Sequence, residues 1–334
     1  DVRLWIRAAS AGQEAGEGFG PHRDYQTFRD AAPDVEPTPA ADNDDLLYIM
    51  YTSGTTGLPK GVVHTHHTTL WAMLTFAVTC DLRDGDRYLA ALPMFHVGAL
   101  TPITLNVYRG VTSIVMREFD PVRAWQLIAE EKIQTGLLVP AMLNFMMQVP
   151  NLAEYDHSSL RWIQSGASPL PVSLIEAYDR MGIPVHQIYG LTETYGPACV
   201  INAENAISKI GSTGQAFFHT EVKIARPDGT DCAIGEQGEV WVRGPHVMKE
   251  YWNRPEATAE VLVDGWLKTG DVAVIDAGGF VYIQDRIKDM IISGGENVYP
   301  AEIENVILTH PDVAEVAVIG QPSERWGESP FAVV

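Results

Sequence analysis

The chain has 334 residues, of which 46% are apolar, and its formal net charge is −20 at pH 7. This length and apolar content allow a large buried core and more than one domain. The negative charge argues against nucleic-acid wrapping and docking on anionic lipid, because both need a basic surface. It also requires any phosphate site to be locally basic or built from backbone N–H groups.

The first two hundred residues alternate between strand-like and helix-like patterns. A strand is predicted over residues 1–9, then loops with a short helix to residue 44, and then a buried strand at Leu46–Tyr51. A Gly/Thr-rich loop at 52–61 leads into a helix. One face of this helix carries Leu70, Met73, Leu74 and Ala77. Further strands are predicted at Tyr88–Leu92, Val111–Met116 and Thr135–Val139, with a helix around 121–131. This alternation is typical of a layered α/β domain with largely parallel strands.

After Gly211 the pattern changes to short strands separated by turn signals, which indicates an antiparallel barrel or sheet. The predicted strands are Val222–Ala225, Gly238–Arg243, Val272–Ile275 and Phe280–Ile283, with a hairpin turn at Asp276–Gly279. Beyond the charged run Asp285–Asp289, a strand (Met290–Ile292), a helix (Ala301–Leu308) and a strand (Val313–Ile319) form a small α+β unit.

We therefore expect an α/β protein of two domains. The first, over residues 1–284, is a large layered α/β domain with a β-rich subdomain. A hinge at 285–288 leads to a small α+β C-terminal domain at 289–334. The chain starts at Asp1 without Met and stops in the strand-like run Phe331–Val334, so we expect both domains to be incomplete at the termini.

The sharpest motif is the loop Tyr51-Thr-Ser-Gly-Thr-Thr-Gly-Leu-Pro-Lys-Gly61. Small residues let a polyphosphate approach the backbone, N–H groups and hydroxyls donate to its oxygens, and Lys60 adds a positive charge. It is not a Walker loop, because Gly61 rather than a hydroxyl residue follows Lys60. A flexible connector would not explain the Pro-Lys-Gly end after a buried strand. The predicted phosphate contacts are Thr52, Ser53, Gly54, Thr55, Thr56, Gly57 and Lys60.

This loop resembles the signature loop of the adenylate-forming superfamily, which includes acyl-CoA synthetases, aryl-CoA ligases, beetle luciferases and adenylation domains of peptide synthetases. Four further stretches follow in the family's order, and the resemblance covers residues 42–334 strongly and 1–41 weakly. It implies an AMP-binding large domain that uses ATP, Mg²⁺ and coenzyme A.

The second stretch is Ile188-Tyr-Gly-Leu-Thr-Glu-Thr194. Mg²⁺ favours a carboxylate together with phosphate oxygens, so Glu193 is the candidate metal ligand. Thr192 is expected to donate to the α-phosphate. Tyr189, next to Gly190, is expected to stack on adenine. The resemblance implies the same roles. Taken alone, the segment would equally fit a strand end followed by a capped helix.

The remaining stretches complete the expected nucleotide and coenzyme A site. Gly166, Ala167 and Ser168 correspond to the segment that lines the adenine and acyl pockets, and a carboxylate such as Asp271 is suited to accept both ribose hydroxyls. The resemblance implies that Arg286 reaches the ribose or phosphate. It also implies that Lys288 is the hinge residue and that the Gly294–Gly295 loop approaches the pantetheine arm.

Four histidines have weaker assignments. The resemblance places His96 at the mouth of the acyl pocket, and a structural role is equally compatible with its apolar surroundings. His64, His66 and His67 are close in sequence, but no companion ligands accompany them, so zinc is not expected.

The resemblance implies a two-step reaction in which the carboxylate attacks the α-phosphate and a thiol then displaces AMP. Lys60, Thr192, Glu193 and Arg286 are the expected catalytic residues. The family's terminal Pro-Lys-x-x-x-Gly-Lys segment does not occur in these 334 residues. We therefore expect this chain by itself to bind nucleotide but to lack first-step activity.

The style of the motifs favours a medium- or long-chain fatty acid as substrate. An aryl or other small acid is the first alternative, and an amino-acid adenylation domain or a non-catalytic nucleotide-binding protein is less favoured. Three widely spaced cysteines, Cys80, Cys199 and Cys232, are read as reduced thiols. No run of about 18 apolar residues occurs. We expect a cytoplasmic enzyme of fatty acid metabolism with no membrane segment and no nucleic-acid partner, and leave a homodimer open.

Overall fold

The computed structural model describes residues 6–7, 23–52, 59–168, 170–287, 289–293, 296–310, 312–313, 315–323 and 325–334. The chain divides into two units, Asp1–Asp42 and Asn43–Val334. In the first unit, strand β1 (Ile6–Arg7) pairs in parallel with β2 (Arg23–Asp24), and helix α1 (Tyr25–Asp30) follows. The short helix expected before residue 44 is confirmed. Of the strand predicted at 1–9, only the two residues of β1 are described.

The second unit begins with alternating strands and helices and becomes rich in strands. Its helices are α2 (His66–Thr79), α3 (Val97–Arg109), α4 (Pro121–Glu131), α5 (Pro140–Met147), α6 (Val172–Arg180), α7 (Pro255–Val261) and α8 (Pro300–Ile307). Short 3-10 helices span Leu152–Glu154 and Thr192–Thr194. The strands are β3 (Leu46–Thr52), β4 (Lys60–Thr65), β5 (Arg87–Ala90), β6 (Thr112–Val115), β7 (Thr135–Gly136), β8 (Ile163–Ser165), β9 (Val185–Tyr189), β10 (Cys199–Val200), β11 (Gln215–Ala216), β12 (Glu221–Ala225), β13 (Gly238–Arg243), β14 (Glu250–Tyr251), β15 (Leu262–Val263), β16 (Trp266–Ile275), β17 (Val281–Arg286), β18 (Ile291–Ser293), β19 (Glu296–Val298), β20 (Ala317–Ser323) and β21 (Gly327–Val333).

The fold is α/β, and the expected parallel pairing is present. Strand β5 pairs in parallel with β6 and β7, and β8 pairs in parallel with β9. A parallel bridge between Leu137 and Gln164 continues the series from β7 to β8, and β10 and β11 extend it antiparallel from β9. Helices α4, α5 and α6 pack on this sheet through a core that contains Trp125, Leu143 and Tyr178. The carboxyl ends of β8 and β9 therefore lie side by side.

The strand β4 was not predicted and corrects the expectation that the loop at 52–61 runs directly into a helix. Strands β3 and β4 form an antiparallel hairpin in which Thr52 is opposite Lys60. Helix α2 begins only at His66, capped by Thr65. Its buried face carries Thr69, Ala72, Met73 and Phe76, whereas Leu70 of the predicted face is exposed. Burial of β4 on both faces hides the alternation that marks a strand.

The strands after residue 211 are antiparallel, as predicted. The order β12–β13–β16–β15 forms one sheet, and β17 pairs with β16 through the Asp276–Gly279 turn. In the C-terminal part, four strands form a sheet in the order β19–β18–β21–β20. Strand β20 begins at Ala317 rather than at Val313 as predicted. Within the described residues, no helix has both the length and the apolar character needed to cross a membrane.

Candidate active site

The Tyr189–Thr194 segment lies at the carboxyl end of β9 and turns sharply back on itself. Gly196 N donates to Leu191 O at 3.0 Å, and Ala198 N donates to Tyr189 O at 3.0 Å. A Cβ on Gly190 would lie only 1.5 Å from Gly196 O, so only glycine fits there. This turn brings the side chains of Tyr189 and Glu193 into two separate clusters.

The first cluster joins Tyr189 to Asp271 and Arg286. The Tyr189 hydroxyl donates to Asp271 Oδ2 at 2.7 Å, and Arg286 Nε lies 3.4 Å from Asp271 Oδ1. Asp271 and Arg286 are register partners in β16 and β17, which fixes their proximity. Burial, with the Asp271 charge, raises the pKa of Tyr189 well above its usual value, so the phenol remains a donor.

The second cluster joins Glu193 to Lys60 through an aromatic ring. The Tyr251 hydroxyl donates to Glu193 Oε1 at 2.6 Å, and Lys60 Nζ lies 4.4 Å from the centroid of the Tyr251 ring. Thr192, the other predicted catalytic residue, lies next to Glu193 and accepts a hydrogen bond through its carbonyl oxygen from His64 Nε2 at 2.7 Å. The structure thus links Lys60 to Glu193 through Tyr251, and Thr192 precedes Glu193 in the chain.

Two buried histidines support the turn that carries Glu193. His64 bonds the carbonyl of Thr192, and His246 Nδ1 bonds the carbonyl of Thr194 at 3.0 Å, while its Nε2 pairs with Thr220 Oγ1 at 2.8 Å. Burial lowers the pKa of each imidazole to about 4. Both rings are therefore neutral near pH 7, and both nitrogens of each ring take part in hydrogen bonds that hold the turn in place.

The predicted Gly166-Ala167-Ser168 segment follows β8 directly. A Cβ on Gly166 would lie 2.2 Å from Ile188 O, so this glycine is required by the close approach of β9. Ala167 adopts φ 72°, a left-handed conformation that is strained for alanine. The adenine contact of this segment stays a prediction.

His96 does not join either cluster. It is exposed at the start of α3, where its ring centroid lies 4.5 Å from that of Phe95. A cavity lies between α2, α3 and β5, and neither His96 nor Gly166 lines it. The residues that line it are Phe76, Cys80, Leu82, Tyr88, Thr101, Pro102, Leu105, Trp162 and Gln164. The assignment of His96 to the acyl pocket stays a prediction.

Several predicted contacts lie outside the described residues. Thr52 and Lys60 are placed at the two strand ends, with Thr52 Oγ1 donating to Lys60 O at 3.4 Å. The predicted residues outside the described part of the chain are Ser53, Gly54, Thr55, Thr56, Gly57, Lys288, Gly294 and Gly295. Of the predicted hinge, Asp285 and Arg286 are the last residues of β17.

Glu193 has the chemistry that a magnesium site requires. Among the described residues, Tyr251 is its only hydrogen-bond partner through the carboxylate, and it bonds Oε1. The described part of the chain contains no group of three or more His, Cys, Asp or Glu side chains suited to a metal. A site with one protein carboxylate fits Mg²⁺, which keeps waters and takes its other ligands from substrate phosphates.

Asp271 fits the predicted ribose contact less directly. Its side chain is nearly buried, with 5% of the residue exposed, and it already interacts with Tyr189 and Arg286. Two ribose hydroxyls would have to displace one of these partners. Arg286, whose side chain is 53% exposed, is the partner that can move more readily.

Sequence reasoning missed Tyr251, His246 and the role of His64. Tyr251 lies in the Lys249-Glu-Tyr-Trp-Asn-Arg-Pro255 stretch, which carries no predicted element. Its contact with Glu193 depends on the pairing of β14 with β4, and no local pattern signals a pair of strands nearly two hundred residues apart. The burial of His64 follows from the same unpredicted strand β4.

Two family models match the chain. The model described as "AMP-binding enzyme" matches residues 8–252, and the model of the AMP-binding enzyme C-terminal domain matches residues 302–334. A long-chain-fatty-acid–CoA ligase of Mycobacterium tuberculosis is 51% identical over 92% of this chain and 61% of its own length. A feruloyl-CoA synthase of an Amycolatopsis species is 44% identical over 91% of this chain and 62% of its length.

A solved structure shares the fold over most of the chain. The o-succinylbenzoate coenzyme A synthetase of Bacillus subtilis, in complex with ATP and magnesium ion, aligns with a TM-score of 0.85 and 38% identity. The alignment covers 93% of this chain and 65% of that one. The chain thus spans about three fifths of the length of the relatives it matches.

Proposed function

Because the chain belongs to the AMP-binding enzyme family, we propose that it activates a carboxylic acid with ATP and transfers the acyl group to coenzyme A. One observation carries the proposal. The Glu193 carboxylate of the Tyr189–Thr194 turn and the Lys60 ammonium contact the same Tyr251 side chain, and Tyr189 of that turn belongs to a separate Tyr–Asp–Arg cluster. Such a site has groups for a triphosphate at one end and for a nucleoside at the other.

In the proposed first step, an oxygen of the acid's carboxylate attacks the α-phosphorus of ATP. The new O–P bond forms as the bond to the β-phosphate oxygen breaks, and pyrophosphate leaves. Lys60 and Thr192 stabilise the negative charge on the phosphoryl oxygens, and Glu193 would hold the magnesium ion. Magnesium, when bound, neutralises phosphate charge and orients the triphosphate. Asp271 and Arg286 hold the ribose, and Tyr189 packs on the adenine.

In the proposed second step, the sulfur of coenzyme A attacks the acyl carbon of acyl-AMP. A C–S bond forms, the bond from the acyl carbon to the phosphate oxygen breaks, AMP leaves, and the thiol proton passes to solvent or base. The Gly294–Gly295 loop would admit the pantetheine arm. We propose that residues 289–334 form the small domain and turn about the 285–288 hinge between the two steps.

A medium- or long-chain fatty acid is the proposed substrate. The long-chain-fatty-acid–CoA ligase of Mycobacterium tuberculosis, at 51% identity, supports it. An aryl acid is the second candidate, because a feruloyl-CoA synthase is 44% identical. We also propose a cytoplasmic location, which is supported by the three cysteines, all free thiols.

The test is ATP–pyrophosphate exchange by the whole protein with a panel of acids. Saturated acids of 8 to 18 carbons are compared with ferulate, benzoate and amino acids at equal concentration. Exchange that depends on a fatty acid, followed by formation of its CoA thioester, is expected. Exchange with aryl acids alone would favour the second candidate, and no exchange with any acid would reject the activity.

A further inference from the structure

Tyr251 lies between two groups of opposite charge that the proposed function uses. Its hydroxyl donates to Glu193 Oε1 at 2.6 Å, and Lys60 Nζ lies 4.4 Å from its ring centroid. We propose that Tyr251 is a positioning residue that holds the Lys60 ammonium and the Glu193 carboxylate apart and orients each toward magnesium-bound ATP. This inference rests on the proposed function, because it takes Glu193 as the metal ligand and Lys60 as a phosphate contact.

The backbone around Tyr251 fixes the ring in this place. Tyr251 is the register partner of Val62 in the β14–β4 pair, two residues from Lys60. Trp252 N donates to Gly61 O at 2.7 Å, and Met248 N donates to the backbone oxygen of Glu193 at 2.7 Å. One short segment is thus bonded both to the strand that carries Lys60 and to the turn that carries Glu193.

The interposed ring has a physical advantage over a direct ion pair. A paired ammonium and carboxylate would have to separate before either could meet a phosphate or a cation, and separating a partly buried pair is costly. A cation–π contact and a single hydrogen bond hold each charge more weakly.

Two substitutions separate the two contacts. Tyr251→Phe keeps the ring under Lys60 and removes the hydroxyl, whereas Tyr251→Leu removes both. The matched control is Tyr178→Phe, which deletes a buried hydroxyl that donates to Leu143 O at 2.9 Å in the core under α6. Circular dichroism and thermal unfolding verify that each variant folds.

Nucleotide affinity is measured by calorimetric titration of ATP, first with EDTA and then over a series of Mg²⁺ concentrations. Tyr251→Phe is expected to bind ATP like the parent in EDTA but to need on the order of tenfold more Mg²⁺ for half-maximal enhancement of binding. Tyr251→Leu is expected also to lose ATP affinity severalfold in EDTA, because Lys60 loses its support. Tyr178→Phe is expected to change neither value.

A double substitution tests whether Tyr251 acts through Glu193. In a Glu193→Gln background, Tyr251→Phe is expected to have no further effect on ATP binding at high Mg²⁺. A parent-like Mg²⁺ requirement in Tyr251→Phe, or an equal shift in the Glu193→Gln background, would overturn the inference. So would a Tyr251→Phe chain that fails to fold while Tyr178→Phe folds, since that outcome assigns the hydroxyl to stability.

Failure of the Tyr251 inference can be distinguished from failure of the proposed function. If the parent binds ATP with magnesium but shows no pyrophosphate exchange with any acid, the activity is rejected and the role of Tyr251 in nucleotide binding still stands or falls by these titrations.

Discussion

At the scale of single residues, the candidate site depends on hydrogen bonds that set the direction of a few charged groups. Glu193 has its carboxylate bonded by Tyr251 and its backbone oxygen bonded by Met248 N. The turn on either side is held by His64 and His246. Glu193 is therefore held both at its carboxylate and through the backbone of its turn.

Replacing Glu193 by Gln tests the metal assignment at this scale. The amide keeps the size of the side chain but cannot supply the charge that Mg²⁺ favours, so Mg²⁺-dependent adenylation is expected to fall by about 100-fold or more. Binding of ATP in EDTA is expected to persist. Pyrophosphate exchange and calorimetry on the whole protein measure the two effects, with the exposed Glu204→Gln as control. Unchanged exchange in Glu193→Gln would remove this residue from the site.

Protonation of His246 gives a second prediction. Its pKa is about 4 in the folded chain and near 6.5 when unfolded, so the unfolded state binds protons first as the pH falls. The stability contributed by the neutral ring is present above pH 6.5 and is lost between pH 6.5 and 4. From pH 7 to 5 this loss is about 2 kcal/mol for one such histidine.

His246→Gln keeps a donor for Thr194 O and an acceptor for Thr220 without a titrating ring. Its free energy of unfolding is therefore expected to fall by ~2 kcal/mol less than that of the parent between pH 7 and pH 5. Urea unfolding at the two pH values measures this difference, with the exposed His310→Gln as control. Parallel losses in the parent and in His246→Gln would refute the assignment.

At the scale of elements, the sequence predicted best where a pattern is local. The helix at 121–131 matches α4, and the Asp276–Gly279 turn joins β16 to β17, because caps and turn residues act over a few positions. Strand β4 was missed because residues 62–65 are buried on both faces and show no alternation. The pairing of β14 with β4, and hence the Tyr251 contact, depends on distant chain segments that no local pattern reports.

Gly190 shows how closely the elements around the site approach each other, and Gly182, before β9, serves as its comparison. A Cβ at position 190 would lie 1.5 Å from Gly196 O, whereas one at position 182 would meet nothing within 4 Å. Gly190→Ala is therefore expected to destabilise the fold by ~3 kcal/mol or more, because backbone must shift. Gly182→Ala is expected to cost only about 1 kcal/mol, from its positive φ of 77°. Equal unfolding free energies for the two variants, measured in urea, would contradict this account.

At the scale of the whole molecule, the C-terminal part is bonded to the β-rich sheet near the predicted hinge. Ala301 N donates to Asp285 Oδ2 at 3.2 Å, and the Tyr299 hydroxyl donates to Gln237 Oε1 at 2.7 Å. Ile287 N donates to Gly270 O at 2.9 Å, so the chain remains attached to β16 up to that residue. A rotation at Lys288 would break the first two bonds and leave the third in place.

Lys288→Pro tests this rotation in the whole protein. Proline fixes φ near −65°, so it is expected to impair one half-reaction by at least about tenfold and to spare the other. Acyl-AMP formation and thioester formation from supplied acyl-AMP are measured separately, with Lys288→Ala as the control for the lost charge. Equal losses in both half-reactions would count against a hinge at this residue.

Because side chains alternate between the two faces of β4, the site depends on whether an insertion in this strand adds an odd or an even number of residues. Lys60, Val62 and His64 alternate with Gly61 and Val63 along β4, so the first three side chains share one face. Inserting one residue within Gly61–Val63 would turn Lys60 away from Tyr251 while His64 kept its place against Thr192. Inserting two would restore the face but displace Lys60 by about 7 Å. A graft that exchanges segments at this hairpin must therefore keep β4 residue for residue.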